Sequence, residues 1–146
     1  TCLDVLRSRV DLGEKVLVLG DLGVAISTTL YIIYNYPQKQ VGILSSVKKI
    51  GRDVNPSYIW RYMKKLKDGG VTQYNLHQLL EIRESEVLAK GPDGKEVTIP
   101  ADTVVLANME SYKPVDYKNA YTIGDALLPR RANSALLDGF RMGMSL

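Results

Sequence analysis

The stretch Lys15-Val-Leu-Val-Leu-Gly20-Asp-Leu-Gly23-Val-Ala25 restricts the fold of the chain more than any other. Val16 to Leu19 form a short apolar run, a glycine turn follows, and a helical period begins at once. Ile26, Thr29, Leu30, Ile33 and Tyr34 stand at i, i+3, i+4, i+7 and i+8, the spacing of one helix face. Strand, glycine turn and helix in that order open a βαβ unit of the dinucleotide-binding kind. In such a unit the turn glycines let the backbone approach a pyrophosphate, and the free N–H groups at the positive helix end meet the anion. Gly20 fits the first glycine position and Ala25 is accepted at the third. Leu22 stands at the second, where its side chain takes up space that the pyrophosphate needs.

The rest of the chain extends that unit. Thr1 to Glu14 read as a lead-in with one or two helical turns through Leu3, Leu6 and Val10, ended by Gly13. Pro37 closes the first long helix, and Gln40–Leu44 is a second apolar strand, parallel to the first because a helix joins them. Ser45–Val54 is a loop with Lys48, Lys49 and Arg52. Asn55-Pro56 matches an N-cap followed by proline at the first helical position. Ile59, Tyr62, Met63 and Leu66 share the inner face of that helix, and Gly69-Gly70 stop it. Val71–Tyr74 reads as a third parallel strand. Leu79–Ile82, Glu86–Lys90 and Glu96–Ile99 are strand-like pieces, with Gly91-Pro-Asp-Gly94 turning between the last two, so an antiparallel meander is expected. Thr103–Ala107 is a buried strand, residues 108–119 are irregular, and Ala120–Ile123 is a last short strand. Arg131–Met144 is a helix with Ala132, Ala135, Leu136, Gly139, Phe140 and Gly143 on one side.

Composition narrows the function classes. A length of 146 residues suits one domain with a real core, and 45% apolar residues is ordinary for a globular chain. A net charge of +3 without a basic, aromatic-interleaved stripe argues against nucleic acid as a partner. No apolar run reaches membrane-spanning length, and Thr1–Asp4 does not look like a secretory signal. The single cysteine, Cys2, reads as an incidental terminal residue and leaves no internal disulfide, so a reducing, cytoplasmic setting is expected. His77 has no Cys or His partner at ligand spacing, and no metal site or Ser–His–Asp arrangement is expected. Trp60 and the tyrosines of the two helices read as core or lobe–lobe packing.

The order strand–glycine turn–helix, meander, Asp102-Thr-Val-Val-Leu-Ala107 and Tyr121-Thr-Ile-Gly-Asp-Ala126 resembles the two-dinucleotide-domain flavoprotein oxidoreductases, the pyridine-nucleotide-disulfide-oxidoreductase type. Asp4-Val-Leu-Arg7, Lys49-Ile-Gly-Arg-Asp53, Tyr58-Ile-Trp60, Gly91-Pro-Asp-Gly94 and Pro129-Arg-Arg131 narrow it. They look like the C-terminal part of the 2,4-dienoyl-CoA reductase and enoate reductase group, the old-yellow-enzyme-type NADH oxidases with an iron–sulfur cluster. The resemblance implies a larger enzyme. Its N-terminal barrel carries FMN, the substrate site and the cluster, and its C-terminal part carries FAD and an NAD(P)H-binding lobe. Hydride passes from NAD(P)H to FAD, and electrons then reach FMN through the cluster. This chain is similar to the nicotinamide lobe plus the last strand and helix of the FAD lobe. Three positions depart from the pattern. Leu22 replaces a turn glycine, and Ser45, 25 positions after Gly20, stands where an acidic residue holds the adenosine ribose. Met109, after Asn108, stands where the family places a glycine near the nucleotides.

Each candidate residue has a plain alternative. Gly20 and Gly23 either admit a pyrophosphate or simply make the βα turn. Ser45, Ser46, Lys48, Lys49 and Arg52 either receive a 2′-phosphate or form a solvated basic loop. Gly124 and Asp125 hold the FAD ribityl chain in the resembled enzymes; here a strand-to-helix turn with Asp125 as a cap also accounts for them. The fold expected is α/β, a Rossmann-like parallel sheet with flanking helices and an antiparallel β-meander. Residues 1–119 form the nicotinamide-dinucleotide-binding domain, and residues 120–146 resemble the end of an FAD-binding lobe. Two functions remain open: a dinucleotide-binding piece of a flavin oxidoreductase, and a degenerate scaffold or docking module. The chain supplies no acid, base or nucleophile in either case. The partners expected are a dinucleotide, the FAD/FMN-barrel part of the same or a partner chain, and, through residues 120–146, either a second copy or another partner.

Overall fold

Strand β1 (Lys15–Leu19) is central because its residues alternate between two cores. The computed structural model describes residues 1–108, 117–118 and 120–145. Strands β2 (Gln40–Ser45), β3 (Thr72–Asn75) and β7 (Thr103–Leu106) complete a four-stranded parallel sheet in the order β3-β2-β1-β7. Val18 of β1 sits between Ile43 of β2 and Val105 of β7. Val16, Val18, Ile43 and Val105 face the helices, packing with Ile26, Ile32 and Leu66. Leu17, Leu19 and Leu44 face the other way, onto Val87, Ala89, Ile99 and Ala101. These belong largely to a three-stranded antiparallel meander of β4 (Gln78–Ile82), β5 (Glu86–Lys90) and β6 (Glu96–Pro100). A strand buried on both faces reads as the continuous apolar run seen in the sequence. The α/β class expected from the sequence is the one found.

Helix α1 (Cys2–Leu6) and helix α3 (Pro56–Asp68) both lie against α2 (Gly23–Asn35). Burial therefore spreads round α2 to Thr28 and Ile32, beyond the single stripe expected. The Thr28 and Thr29 hydroxyls donate back to Val24 and Ala25 carbonyls at 2.8 Å each, which lets both residues be buried without orphaned polar atoms. Tyr34, expected on the inner face, is 61% exposed, with the Lys65 ammonium 5.6 Å from its ring centre. Helix α3 starts as read: the Asn55 side chain accepts from Ser57 N at 2.9 Å and Pro56 is the first helical residue. Its inner line is the buried Leu66 with the half-buried Ile59 and Met63, whereas Tyr62, Tyr58 and Trp60 are exposed. Core packing of these aromatics is thus corrected. So is the reading of Cys2 as incidental, since its small apolar side chain is buried in the helix-side core.

The starts of β1 and β7 are clamped together. Asp102 Oδ2 accepts from Glu14 N at 2.9 Å and Lys15 N at 3.0 Å, and Gly13 N donates to Thr103 Oγ1 at 2.9 Å. Desolvation raises the Asp102 carboxyl, but the Lys15 N–H, the Thr103 hydroxyl and the Glu14 N–H outweigh it and hold the group below its ordinary value.

The chain divides into two compact units, Thr1–Asn108 and Met109–Leu146. The second contains a 3₁₀ turn (Gly124–Ala126) and helix α4 (Ala132–Ser145). Asp138 of α4 accepts from Gly124 N at 3.2 Å and also bonds the Arg130 guanidinium. The strand expected over Ala120–Ile123 does not form. A strand exists by pairing its N–H and C=O groups with a neighbour, and none of the described residues supplies one.

Candidate functional site

In parallel α/β sheets ligands bind outside the carboxyl ends of the strands. That edge is closed around Gly20. Gly20 N donates to Leu44 O at 3.1 Å, and Ala107 N donates to Leu19 O at 2.8 Å, so both neighbouring strands hold the turn. A Cβ on Gly20 would lie 3.0 Å from the Ala107 carbonyl oxygen and 3.0 Å from the Ala25 Cβ. The first and third fingerprint positions thus act together: glycine and alanine bring helix α2 close to the strand ends. Leu22 is the N-cap of α2, partly buried, and its side chain offers no capping oxygen.

The cap comes from elsewhere. Gly23 N, the first N–H of α2, donates to Asp53 Oδ1 at 2.7 Å. Gly23 leaves room for this contact, since a Cβ there would lie 3.2 Å from Asp53 Oδ2 and 3.0 Å from Val54 Cγ2. The segment bearing Asp53 is tied to the turn. Gly51 N donates to Asp21 O at 2.6 Å, and Arg52 Nη2 lies 3.1 Å from Asp21 Oδ2. Gly51 has φ +76°, and a Cβ there would meet Ile26 and Ile59 at 2.6 Å, so glycine fits where the chain passes between α2 and α3.

Within the first unit, the other candidates stand at the end of β2 and on the loop after it. Ser45 ends β2 and is 3% exposed, with its Oγ accepting from Val47 N at 3.2 Å and its carbonyl accepting from His77 N at 3.0 Å. Ser46, Lys48 and Lys49 are exposed on the loop after it. Met109 lies outside the described residues. In the second unit Gly124 has φ +61°, and Asp125 Oδ1 accepts from Arg130 N at 3.2 Å. Asp53, Asp21 and Asn75 are the residues that sequence reasoning passed over. Asp53 was visible only as part of Lys49-Ile-Gly-Arg-Asp53, with no spacing rule linking it to Gly23. Asn75 pairs in register with Ser45, and its Oδ1 is buried without a partner. His77 Nδ1 lies 2.8 Å from Asn75 O, and no group of three metal-ligating side chains occurs among the described residues. At the amino edge of the sheet lies a groove of about 480 Å³, lined in part by Lys15, Lys39, Gly42, Gly70 and Tyr74. No described helix is long and apolar enough to cross a membrane.

No family model matches the chain. A metal reductase of Desulforamulus reducens is 29% identical over 167 aligned positions, covering 91% of this chain and 25% of that protein. A structure of 2-naphthoyl-CoA reductase in complex with 2-naphthoyl-CoA superposes with a TM-score of 0.82 at 31% identity, covering 99% of this chain and 23% of that one. Histamine dehydrogenase from Rhizobium sp. 4-9 shares the fold, with a TM-score of 0.80 at 18% identity over 99% of this chain and 25% of its own. The chain therefore spans about a quarter of the length of these proteins. The motifs, the sheet order and these likenesses agree: the chain is similar to about a quarter of the length of proteins of the 2,4-dienoyl-CoA reductase-like, old-yellow-enzyme-type flavoprotein family.

Proposed function

We propose that this chain is the NAD(P)H-binding lobe of a flavin oxidoreductase of the 2,4-dienoyl-CoA/enoate reductase type. In the whole protein it presents the nicotinamide to FAD, with the FAD/FMN-barrel part as its partner. Residues 1–119 form this lobe and residues 120–146 the end of the FAD side, in a reducing cytoplasm. The observation that carries the reading is the Gly20 turn, closed against Ala107 and Ala25 at the carboxyl edge of a parallel sheet. The dinucleotide supplies the hydride. The chain supplies position: the Gly20–Gly23 backbone for the pyrophosphate, and Ser45, Ser46, Lys48 and Lys49 for the adenosine end. Arg52 would join them only by leaving Asp21. Gly124 and Asp125 belong to the FAD side of the proposal.

The fit is partial. Gly20 opens the backbone, while Leu22 at the N-cap and Asp53 on Gly23 N occupy ligand space. Those two residues favour the second reading, a degenerate scaffold that keeps the fold and has lost the ligand. Calorimetric titration with both cofactors separates them. The proposal expects saturable binding with Kd between about 10 μM and 1 mM, roughly −7 to −4 kcal/mol. NADPH should bind no worse than NADH, because Ser45 neither repels a 2′-phosphate nor holds a free ribose as a carboxylate does. No heat at millimolar cofactor leaves the scaffold. Micromolar affinity or better shows that Leu22 does not obstruct the site.

A further inference from the structure

The first N–H of α2 already has an anionic partner. The Asp53 carboxylate bonds Gly23 N at 2.7 Å, at the positive end of a 13-residue helix. We propose that Asp53 is a built-in competitor for the phosphate seat, so that a phosphorylated ligand binds at α2 only when the Asp53 carboxylate withdraws. This rests on the reading of the Gly20 turn as a dinucleotide cradle.

Three features make the contact a device of the fold rather than a passing surface bond. The donor is the backbone N–H that a pyrophosphate at this turn would use, so carboxylate and phosphate exclude each other by geometry and by like charge. Gly23 has no Cβ, and its absence is what admits both Asp53 and Val54 Cγ2. The segment is fastened on its near side by Gly51 N to Asp21 O and by Arg52 to Asp21. Asp53 also fills the capping role that Leu22 cannot perform. The turn is thus stable without a ligand, and a ligand must displace an internal bond to enter.

The probes are inorganic pyrophosphate and NADPH, each titrated into the ¹⁵N-labelled chain while the Gly23 and Val24 amide signals are followed. With Asp53→Ala, pyrophosphate should shift the Gly23 amide saturably with Kd at least tenfold below that of the parent. Asp53→Asn retains an oxygen acceptor for Gly23 N and so protects the fold; it should gain at least threefold. Asp68→Ala, which removes a carboxylate from the end of α3, should gain nothing. Equal affinities of parent and both Asp53 variants overturn the proposal, and so does an equal gain in Asp68→Ala. The two readings fail separately. If pyrophosphate gains and NADPH does not, the competitor stands and the dinucleotide reading falls. If NADPH moves Gly23 in the parent and neither Asp53 variant improves it, the dinucleotide reading stands and the competitor falls.

Discussion

Replacing Gly20 by alanine should destabilise the chain by about 2–4 kcal/mol. The added methyl carbon would lie 3.0 Å from the Ala107 carbonyl oxygen and 3.0 Å from the Ala25 Cβ. Carbon atoms prefer a separation of roughly 3.5–4.0 Å. The neighbours are backbone and a short side chain, so neither gives way by rotation. Overpacking of this kind costs about 1–3 kcal/mol. Gly20 also has φ +158°, on the edge of the region that alanine avoids, which adds to the cost. With a urea dependence of about 2 kcal/mol per molar, the unfolding midpoint should drop by roughly 1–2 M. Gly70→Ala is the control: Gly70 has φ +69° but no atom within 4 Å of the added methyl, so only the backbone term, about 1 kcal/mol, applies. A Gly20→Ala chain as stable as its parent would refute the close approach of α2, β1 and the end of β7 on which the cradle rests.

Three further outcomes follow from the same geometry. Leu22→Gly should tighten NADPH binding about tenfold, or 1.4 kcal/mol, and it spares the helix start, since glycine ranks above leucine at an N-cap; an unchanged Kd by calorimetry removes Leu22 as the obstacle. Asp102 has a depressed folded value, so its contribution is present at neutral pH and is lost as pH falls through that value. The melting temperatures of the parent and Asp102→Ala should therefore differ at pH 7 and converge towards roughly pH 2, below the ordinary carboxylate value; a gap that widens in acid contradicts the clamp. On α4, Leu136, Phe140 and Met144 stand 75%, 67% and 74% exposed at i, i+4 and i+8. Sedimentation should show concentration-dependent self-association that Phe140→Asp abolishes, because burying such a stripe gains roughly 25 cal/mol per Å²; a strict monomer at high concentration refutes the homodimer.

Local chemistry carried much of the fold into the sequence. The Val16–Leu19 run, the Gly20 turn, Asn55-Pro56 and the Gly91–Gly94 turn each act within a few residues, and each formed the element expected. Failures came where burial depends on distant neighbours. The i, i+3, i+4 rule placed Tyr34 inside, but the contacts of α2 with both α1 and α3 decide which of its sides are covered. Trp60 reads as core or lobe–lobe packing, and the core half of that reading fails: it is exposed, and its indole N–H reaches the Ser57 carbonyl of its own helix, at 2.9 Å. Residues 120–123 have strand-like composition, and composition cannot provide a pairing partner. The site was half legible. Gly20 and Ala25 are fingerprint positions with a spacing rule, whereas Asp53 reaches Gly23 across 30 residues through a loop whose path no local signal encodes.

The proposed seat of the dinucleotide is the carboxyl edge of the parallel sheet, across the Gly20 turn. Mapping amide shifts of the ¹⁵N-labelled chain during NADPH titration tests it most directly. The amides of Gly20 to Ala25 and of Ser45 to Lys49 should move together along one saturable curve, with Lys15 and Gln40 at the amino edge unmoved. Shifts centred on the groove lined by Lys15, Lys39, Gly42 and Tyr74, or no shifts at millimolar NADPH, would contradict it.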